Sequence, residues 1–264
     1  MQLRFLGYGN ATSAAFGNSS AVLEVMDRKA SSRDHNACNE THNLVIDFGF
    51  SAYQAYKNRY HGLPEGIFIT HGHLDHIGGL ENLFYDARLN GHQMIKLFVP
   101  HKLVSLLHQR LGTLDNILAE GGANFWDAFQ LIPVGESFWW RDMKFVCVEG
   151  RHHTPGFSFA LCLPGKFFYS GDTKPIPEII AHYASQDEII FHDISLTPQP
   201  SHTHVEELCC YSESQRQRMW FYHINSQECL NELTGRGLRV VTDNLVFKFD
   251  RQLECHDNVL TLKK

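Results

Sequence analysis

"FITHGHLDHIGGL", Phe68 to Leu80, sets His71, His73, Asp75 and His76 within six positions, directly after an apolar run. The run itself, "GIFIT" from Gly66, is short, β-branched and aromatic, and it follows Pro64, so it predicts a buried strand. Side chains on a strand repeat every two residues, which points His71 and His73 to one side. A tight turn from the strand end into a helix would bring Asp75 and His76 back towards them. Neutral imidazoles and carboxylates are the usual ligands of zinc and similar divalent ions. Gly72, Gly78 and Gly79 allow close backbone approach. The H-x-H-x-D-H spacing therefore supplies two pairs of ligands, which suits two metal ions.

Around this stretch the chain alternates between strand and helix signals. "LRFLGYG", "SSAVLEVM" and "NLVIDFGF" read as strands, and the polar stretch at about 27–43 reads as a long loop between the last two. "AYQAYKNRY" and "LENLFYDARL" read as helices, and "MIKLFVP" as a strand. A helical insertion is expected at about 101–133. "SFWWRDMKFVCVEGR" alternates like an antiparallel pair, and "FSFALCL" and "KFFYSGD" are strands joined at Pro164–Gly165. "IPEIIAHYAS" predicts a helix, "EIIFHDISL" a strand, "HVEELCCYSESQRQRMW" a largely helical stretch, and "WFYHIN" a strand end. A last strand is expected in "LRVVTDNLVFKFD". The pattern predicts a layered α/β fold with mixed sheets, residues 1–264 forming one domain.

Composition narrows the function classes. The chain has 264 residues and is 43% hydrophobic, enough for one large core. No run of about 18 apolar residues occurs, which argues against a membrane span, and the N-terminus lacks the pattern of a secretory signal. Seven scattered cysteines without a C-x-x-C spacing read as reduced thiols of a cytoplasmic protein. A formal charge of −6 argues against broad nucleic-acid binding through a basic surface.

"THGHLDHIGGL" is similar to the signature of the metallo-β-lactamase superfamily. The resemblance implies a four-layer αββα sandwich of two mixed sheets, with the metals at one edge. "YSGDTKP" resembles the superfamily's later aspartate motif, which makes Asp172 the bridging carboxylate, and "MWFYHINS" makes His223 the last ligand. The remaining histidine lies in "GRHHTPGFSFAL". Counting back from Ser158 favours His152, whereas "HTPG" favours His153, and both stay open. The implied metal ligands are thus His71, His73, Asp75, His76, His152 (or His153), Asp172 and His223.

Four further segments resemble the ribonuclease Z-like phosphodiesterase branch: "RFLGYGN", "SGDTKP", "IIFHDISL" and "SHTHVEEL". They imply His202 as catalytic histidine and Asp193 as its acidic partner. The long Gly/Pro-rich arm that grips tRNA in typical ribonucleases Z has no counterpart, so tRNA is disfavoured as a substrate.

The expected function is a dinuclear metal-dependent hydrolase, a phosphodiesterase acting on a cyclic nucleotide, a nucleotide diester or RNA. A lactonase or thioesterase on the same site is the alternative. Two divalent ions, zinc or manganese, would generate a hydroxide nucleophile by bringing the pKa of a held water towards about 7. His71, His73 and His152 would hold one ion, and Asp75, His76 and His223 the other. Asp75 could also orient or deprotonate the water, and His202, held by Asp193, would protonate the leaving oxygen. Asp47, in "VIDFG", reads equally as an acceptor behind a ligating histidine or as a turn residue. The expected partner is a phosphodiester or other ester, with no membrane; a homodimer like that of the branch stays open.

Overall fold

Leu3, Phe5 and Gly7 alternate with half-buried residues along "QLRFLG", so the first strand buries one face. A computed structural model describes residues 1–26, 40–91, 94–112, 123–249 and 259–261. Its first sheet is built from β1 (Gln2–Gly7), β2 (Ser20–Met26), β3 (Thr41–Ile46), β4 (Gly66–Phe68), β5 (Ile95–Pro100) and β6 (Phe129–Val134). The second contains β7 (Ser137–Trp140), β8 (Met143–Glu149), β9 (Phe159–Leu163), β10 (Phe167–Tyr169), β11 (Ile189–Asp193) and β12 (Met219–Tyr222). β13 (Val246–Lys248) and β14 (Val259–Thr261) extend the first sheet beside β1.

Both sheets are mixed. β3 to β6 run parallel, whereas β13, β1, β2 and β3 pair antiparallel. β10, β11 and β12 are parallel, while β7 to β10 are antiparallel. The parallel strands β4, β10 and β11 are wholly buried, as strands covered on both faces must be. Aromatic rings join the sheets: Phe5 of β1 lies 5.4 Å from Phe191 and 5.8 Å from Tyr222, centroid to centroid. At the other end, Phe98 of β5 lies 4.3 Å from Phe138 of β7.

Helices connect the strands: α1 (Ala52–Arg59), α2 (Leu74–Ile77), α3 (Leu80–Asp86), α4 (Val104–Leu107), α5 (Pro177–Tyr183), α6 (Glu213–Arg216) and α7 (Gln227–Gly235). α5 starts on a proline, which lacks the amide that a first-turn residue would leave unbonded. This is the sandwich of mixed sheets flanked by helices that the resemblance implied.

Three expectations need correction. The polar loop at about 27–43 is too long at its end, because Thr41–Asn43 already pair with β2; residues 27–39 lie outside the described residues. The helical insertion at about 101–133 runs too far. Its helical turns cover residues 101–112 and 125–128, residues 113–122 lie outside the described residues, and Phe129–Val134 is strand β6, paired in parallel with β5. The exposed edge of the sheet, with its unpaired amides and carbonyls, accepts that segment as a strand. β14 was not anticipated.

Candidate metal centre

The predicted residues sit where strands end. Asp47 follows β3, His71 and His73 follow β4, and His152 follows β8. Asp172 follows β10, Asp193 closes β11, and His223 follows β12. Since β3 and β4 are parallel, and so are β10, β11 and β12, these ends lie at one edge of each sheet. The two edges are stitched together beside the cluster, where Phe159 N–H donates to the Thr70 carbonyl at 2.9 Å. α2 begins just after His73 and returns Asp75 and His76 to the same place.

His71, His73, His76 and His152 each have one ring nitrogen committed to the protein and the other turned inwards. His76 Nδ1 donates to Asp47 Oδ2 at 2.7 Å. Thr70 donates its hydroxyl to Asp47 Oδ2 at 2.7 Å and its amide to Oδ1 at 2.8 Å. That leaves Thr70 Oγ1 as the acceptor for His71 Nδ1 at 3.0 Å. His152 Nδ1 donates to the Ser201 carbonyl at 2.9 Å, and its amide donates to Ser158 Oγ at 3.1 Å. His73 is reversed: its Nδ1 faces inwards, and its Nε2 meets His153 Nε2 at 2.7 Å.

The inward atoms crowd together. His73 Nδ1 is 3.1 Å from His71 Nε2 and 3.3 Å from His152 Nε2. Asp172 Oδ2 lies 3.1 Å from His223 Nε2, 3.4 Å from His76 Nε2, 3.7 Å from His71 Nε2 and 3.9 Å from His152 Nε2. Asp75 Oδ2 is 3.5 Å from His76 Nε2. Lone pairs this close repel unless a proton or a cation lies among them. His76 Nε2 and Asp172 Oδ1 are buried without a hydrogen-bond partner. Unsatisfied buried polar atoms aimed at one point are costly in a dry interior, and coordination removes the cost.

Three donor sets therefore fit a cation, each with its atoms within 4.8 Å of one another: His71, His73, His152 and Asp172; Asp75, His76 and His223; and Asp172, Asp193, His202 and His223. The oxygen and nitrogen donors suit zinc or manganese.

The electrostatics divide the cluster. Burial and the neighbouring His76 hold His71 well below the ordinary imidazole range. Burial, His152 and His153 push His73 down to about 4. Burial also lowers His152, against the pull of Asp172. These three are neutral imidazoles, the form that ligates. Burial opposes ionisation of Asp172, but His223 and His76 outweigh it and hold the carboxyl well below its usual range. Burial pushes Asp47 up, against the hydrogen bonds from His76 and Thr70; with three donors aimed at its two oxygens, it stands as an acceptor.

Beside the cluster, His202 Nδ1 donates to Asp193 Oδ2 at 2.8 Å. Burial would lower the pKa of His202, but Asp193 and Asp172 outweigh burial and raise it. The His202 ring stacks 4.6 Å from that of His223, and both line a cavity of about 200 Å³ with His73, Asp75 and Asp172.

All the predicted site residues come together here, and His152, not His153, turns into the cluster. His153 is exposed and stands behind His73. His204 binds the Leu196 carbonyl at 2.8 Å, and His192 is buried against Tyr211, so neither belongs to the donor sets. Thr70 and Ser201 were missed. Thr70 adjoins the motif and could have been suspected from its place, but a backbone carbonyl such as that of Ser201 carries no side-chain signal.

The family of the anti-Pycsar protein Apyc1 matches residues 1–244. This chain belongs to that family. The Apyc1 of Bacillus phage BSP38 is 30% identical over 261 residues, covering 89% of this chain and 93% of the phage protein. Among solved structures, a diphosphatase of the PhnP family superposes with a TM-score of 0.71 at 18% identity, covering 94% of this chain and 98% of the other. The metallo-β-lactamase fold protein YhfI of Bacillus subtilis gives 0.66 at 10% identity, covering 93% and 98%. The short form of human tRNase Z gives 0.60 at 19%, also covering 93% and 98%. The chain thus has the metallo-β-lactamase fold, together with the donor cluster of a metal-dependent hydrolase. No helix among the described residues is long and apolar enough to cross a membrane.

Proposed function

We propose that the chain, acting as one domain, is a dinuclear metal-dependent phosphodiesterase whose substrate is a cyclic nucleotide. The observation that carries this reading is His202, held by the buried Asp193, lining the same cavity as the ligand cluster. An alkoxide leaving from a phosphodiester needs a proton, and this pair offers one. The small cavity suits a single phosphodiester unit better than a folded RNA, and membership of the Apyc1 family accords with a cyclic nucleotide.

His71, His73 and His152 would hold one ion, Asp75, His76 and His223 the other, and Asp172 would bridge. The two ions, zinc or manganese, would activate water near neutral pH and offset charge on the phosphoryl oxygens. Asp75, on the cavity wall, would orient the attacking water and accept its proton. Asp193 fixes the His202 ring through Nδ1–H, leaving Nε2 to hand its proton to the leaving oxygen. Asp47 and Thr70 keep His71 and His76 in the tautomers that present Nε2.

The test pairs metal content, read by mass spectrometry, with hydrolysis of a 3′,5′-cyclic nucleotide beside a lactone and a thioester. Near two ions per chain, with cyclic nucleotide cleavage lost in His71→Ala and His202→Ala, supports the proposal. Turnover of the lactone or thioester alone would move the chain to another reaction class and remove the role of His202.

A further inference from the structure

Behind the His202–Asp193 pair lies a string of buried polar groups that the mechanism above does not use. His192 is fully buried, and Tyr211 is 2% exposed. His192 Nδ1 lies 2.7 Å from the carbonyl oxygen of Asp193. A carbonyl only accepts, so Nδ1 carries a proton and donates it. Nε2 of the neutral ring is then an acceptor, 2.7 Å from the Tyr211 hydroxyl. That hydroxyl already accepts from the Ile176 amide at 2.9 Å, which leaves its own proton for His192. Both ends of the imidazole thus demand one tautomer. Packing alone would be served better by an apolar side chain, as at Ile190 and Phe191 beside it on β11.

The same Nδ1–H stands beside the Asp193 carboxylate. Oδ2 accepts from His202 at 2.8 Å, whereas Oδ1 has no hydrogen-bond partner among the described residues and lies 3.4 Å from His192 Nδ1. Asp193 is fully buried, and a carboxylate oxygen there with no N–H near it would carry a heavy desolvation cost. The backbone is held as well, since the Asp193 amide donates to Ser170 Oγ at 3.2 Å. Tyr211 is equally fixed. Its amide donates to the Leu208 carbonyl at 3.2 Å, and Arg216 of α6 donates to its carbonyl at 2.8 Å. A line of contacts therefore runs from the start of α5 through Tyr211, His192 and Asp193 to His202 at the cavity.

We infer that His192 and Tyr211 are positioning residues for the leaving-group acid, a deduction that rests on the phosphodiesterase reading above. Tyr211 fixes the His192 ring, His192 grips Asp193 at its carbonyl and its carboxylate edge, and Asp193 aims His202. The positive N–H end of His192 also offsets part of the Asp193 charge in a dry interior, where such a contact is strong. Neither residue touches the reacting atoms, and neither belongs to the donor sets of the ligand cluster. Without the Tyr211 hydroxyl the His192 ring is anchored at one end only. Its buried Nε2 then lacks a partner, and the aim of Asp193 loosens.

The test uses the zinc-loaded enzyme with Tyr211→Phe, which keeps the ring and removes only the hydroxyl. A 3′,5′-cyclic nucleotide is compared with bis(p-nitrophenyl) phosphate, whose leaving group needs no proton. Tyr211→Phe should lower kcat for the nucleotide between about 5-fold and about 150-fold, with KM and metal per chain within about twofold. Turnover of bis(p-nitrophenyl) phosphate should stay within about twofold. His192→Phe should show the same selective loss, and His192→Asn, whose amide can stand in for Nδ1–H, should recover most of it. These two variants carry the comparison if Tyr211→Phe does not fold. An unchanged kcat, or equal losses on both substrates, overturns the assignment. Should His202→Ala itself lose both substrates equally, the acid reading fails, and the positioning is then judged from the imidazole nitrogen resonances. A proton on His192 Nδ1, with a His202 Nδ1–H signal that is sharp in the wild type and lost in Tyr211→Phe, supports it. A proton on His192 Nε2, or a His202 signal unchanged in the variant, overturns it.

Discussion

Replacing Asp47 with asparagine tests whether the metal centre depends on a residue that does not itself face the ions. Asp47 is fully buried and accepts three hydrogen bonds, from His76 Nδ1, Thr70 Oγ1 and the Thr70 amide. Asparagine has one oxygen and one NH2 in the same shape. If the NH2 takes the Oδ1 place, it opposes the Thr70 amide. If it takes the Oδ2 place, it opposes His76 Nδ1–H, and the His76 ring must move its proton to Nε2, the atom that would bind metal. A buried donor left without an acceptor costs about 1–3 kcal/mol. That corresponds to roughly 5- to 150-fold, and outer partners of ligating histidines typically contribute about 10- to 100-fold in metal affinity. Asparagine also suits the backbone, because residue 47 has φ 57° and asparagine enters the left-handed region readily. Alanine there would add a backbone penalty and blur the result. The assay is metal per chain after dialysis against graded chelator, with circular dichroism to show the fold intact. If the cluster holds two ions as proposed, Asp47→Asn should weaken the one on the His76 side by about 10- to 100-fold and the one on the His71 side by less. A folded variant that keeps both ions within about threefold of wild type would refute the reasoning.

Other consequences follow from single contacts. His202→Ala should lower kcat for a cyclic nucleotide by about 10²- to 10⁴-fold, but much less for bis(p-nitrophenyl) phosphate, whose leaving group needs no proton; equal losses would show that His202 is not the acid. Gly72→Ala should cost no more than about 1 kcal/mol, because the atom a Cβ would meet, Leu106 Cδ2, ends a half-buried flexible side chain that can turn aside; a melting temperature far below wild type would contradict this. Burial pushes the Asp86 carboxyl up, but hydrogen bonds from Lys57, Asn90 and Tyr53 outweigh burial and hold it below its usual range. Its contribution to stability is therefore present above the ordinary carboxylate range and is lost as pH falls through the folded value. Urea titrations of wild type and Asp86→Asn should differ near neutral pH and converge in acid; a gap that persists in acid would contradict the pairing.

The sequence by itself located the candidate centre of this protein, because the residues that mark it are neighbours along the chain. His71, His73, Asp75 and His76 need only a strand end and one turn of helix to converge, and both the two-residue and the helical repeat are local properties. Asp172, Asp193, His202 and His223 were reached through resemblance, all but His202 at or near the end of an apolar strand-like run, and His202 in the polar loop after β11. The choice between His152 and His153 could not be made that way. Adjacent residues at a strand exit can turn either way, and the outcome rests on the Ser201 carbonyl, 49 residues on, accepting a proton from His152. Asp47 was recognisable as an acid after a strand, but not as the support of His76, because parallel pairing of β3 with β4 brings the two together across 29 residues. β6 hid within a helical pattern because the edge of β5 overrode local preference. The cavity beside His73 belongs wholly to the tertiary structure: Leu106 and Phe157 lie 51 positions apart in sequence, and only the packed fold brings them to line it together.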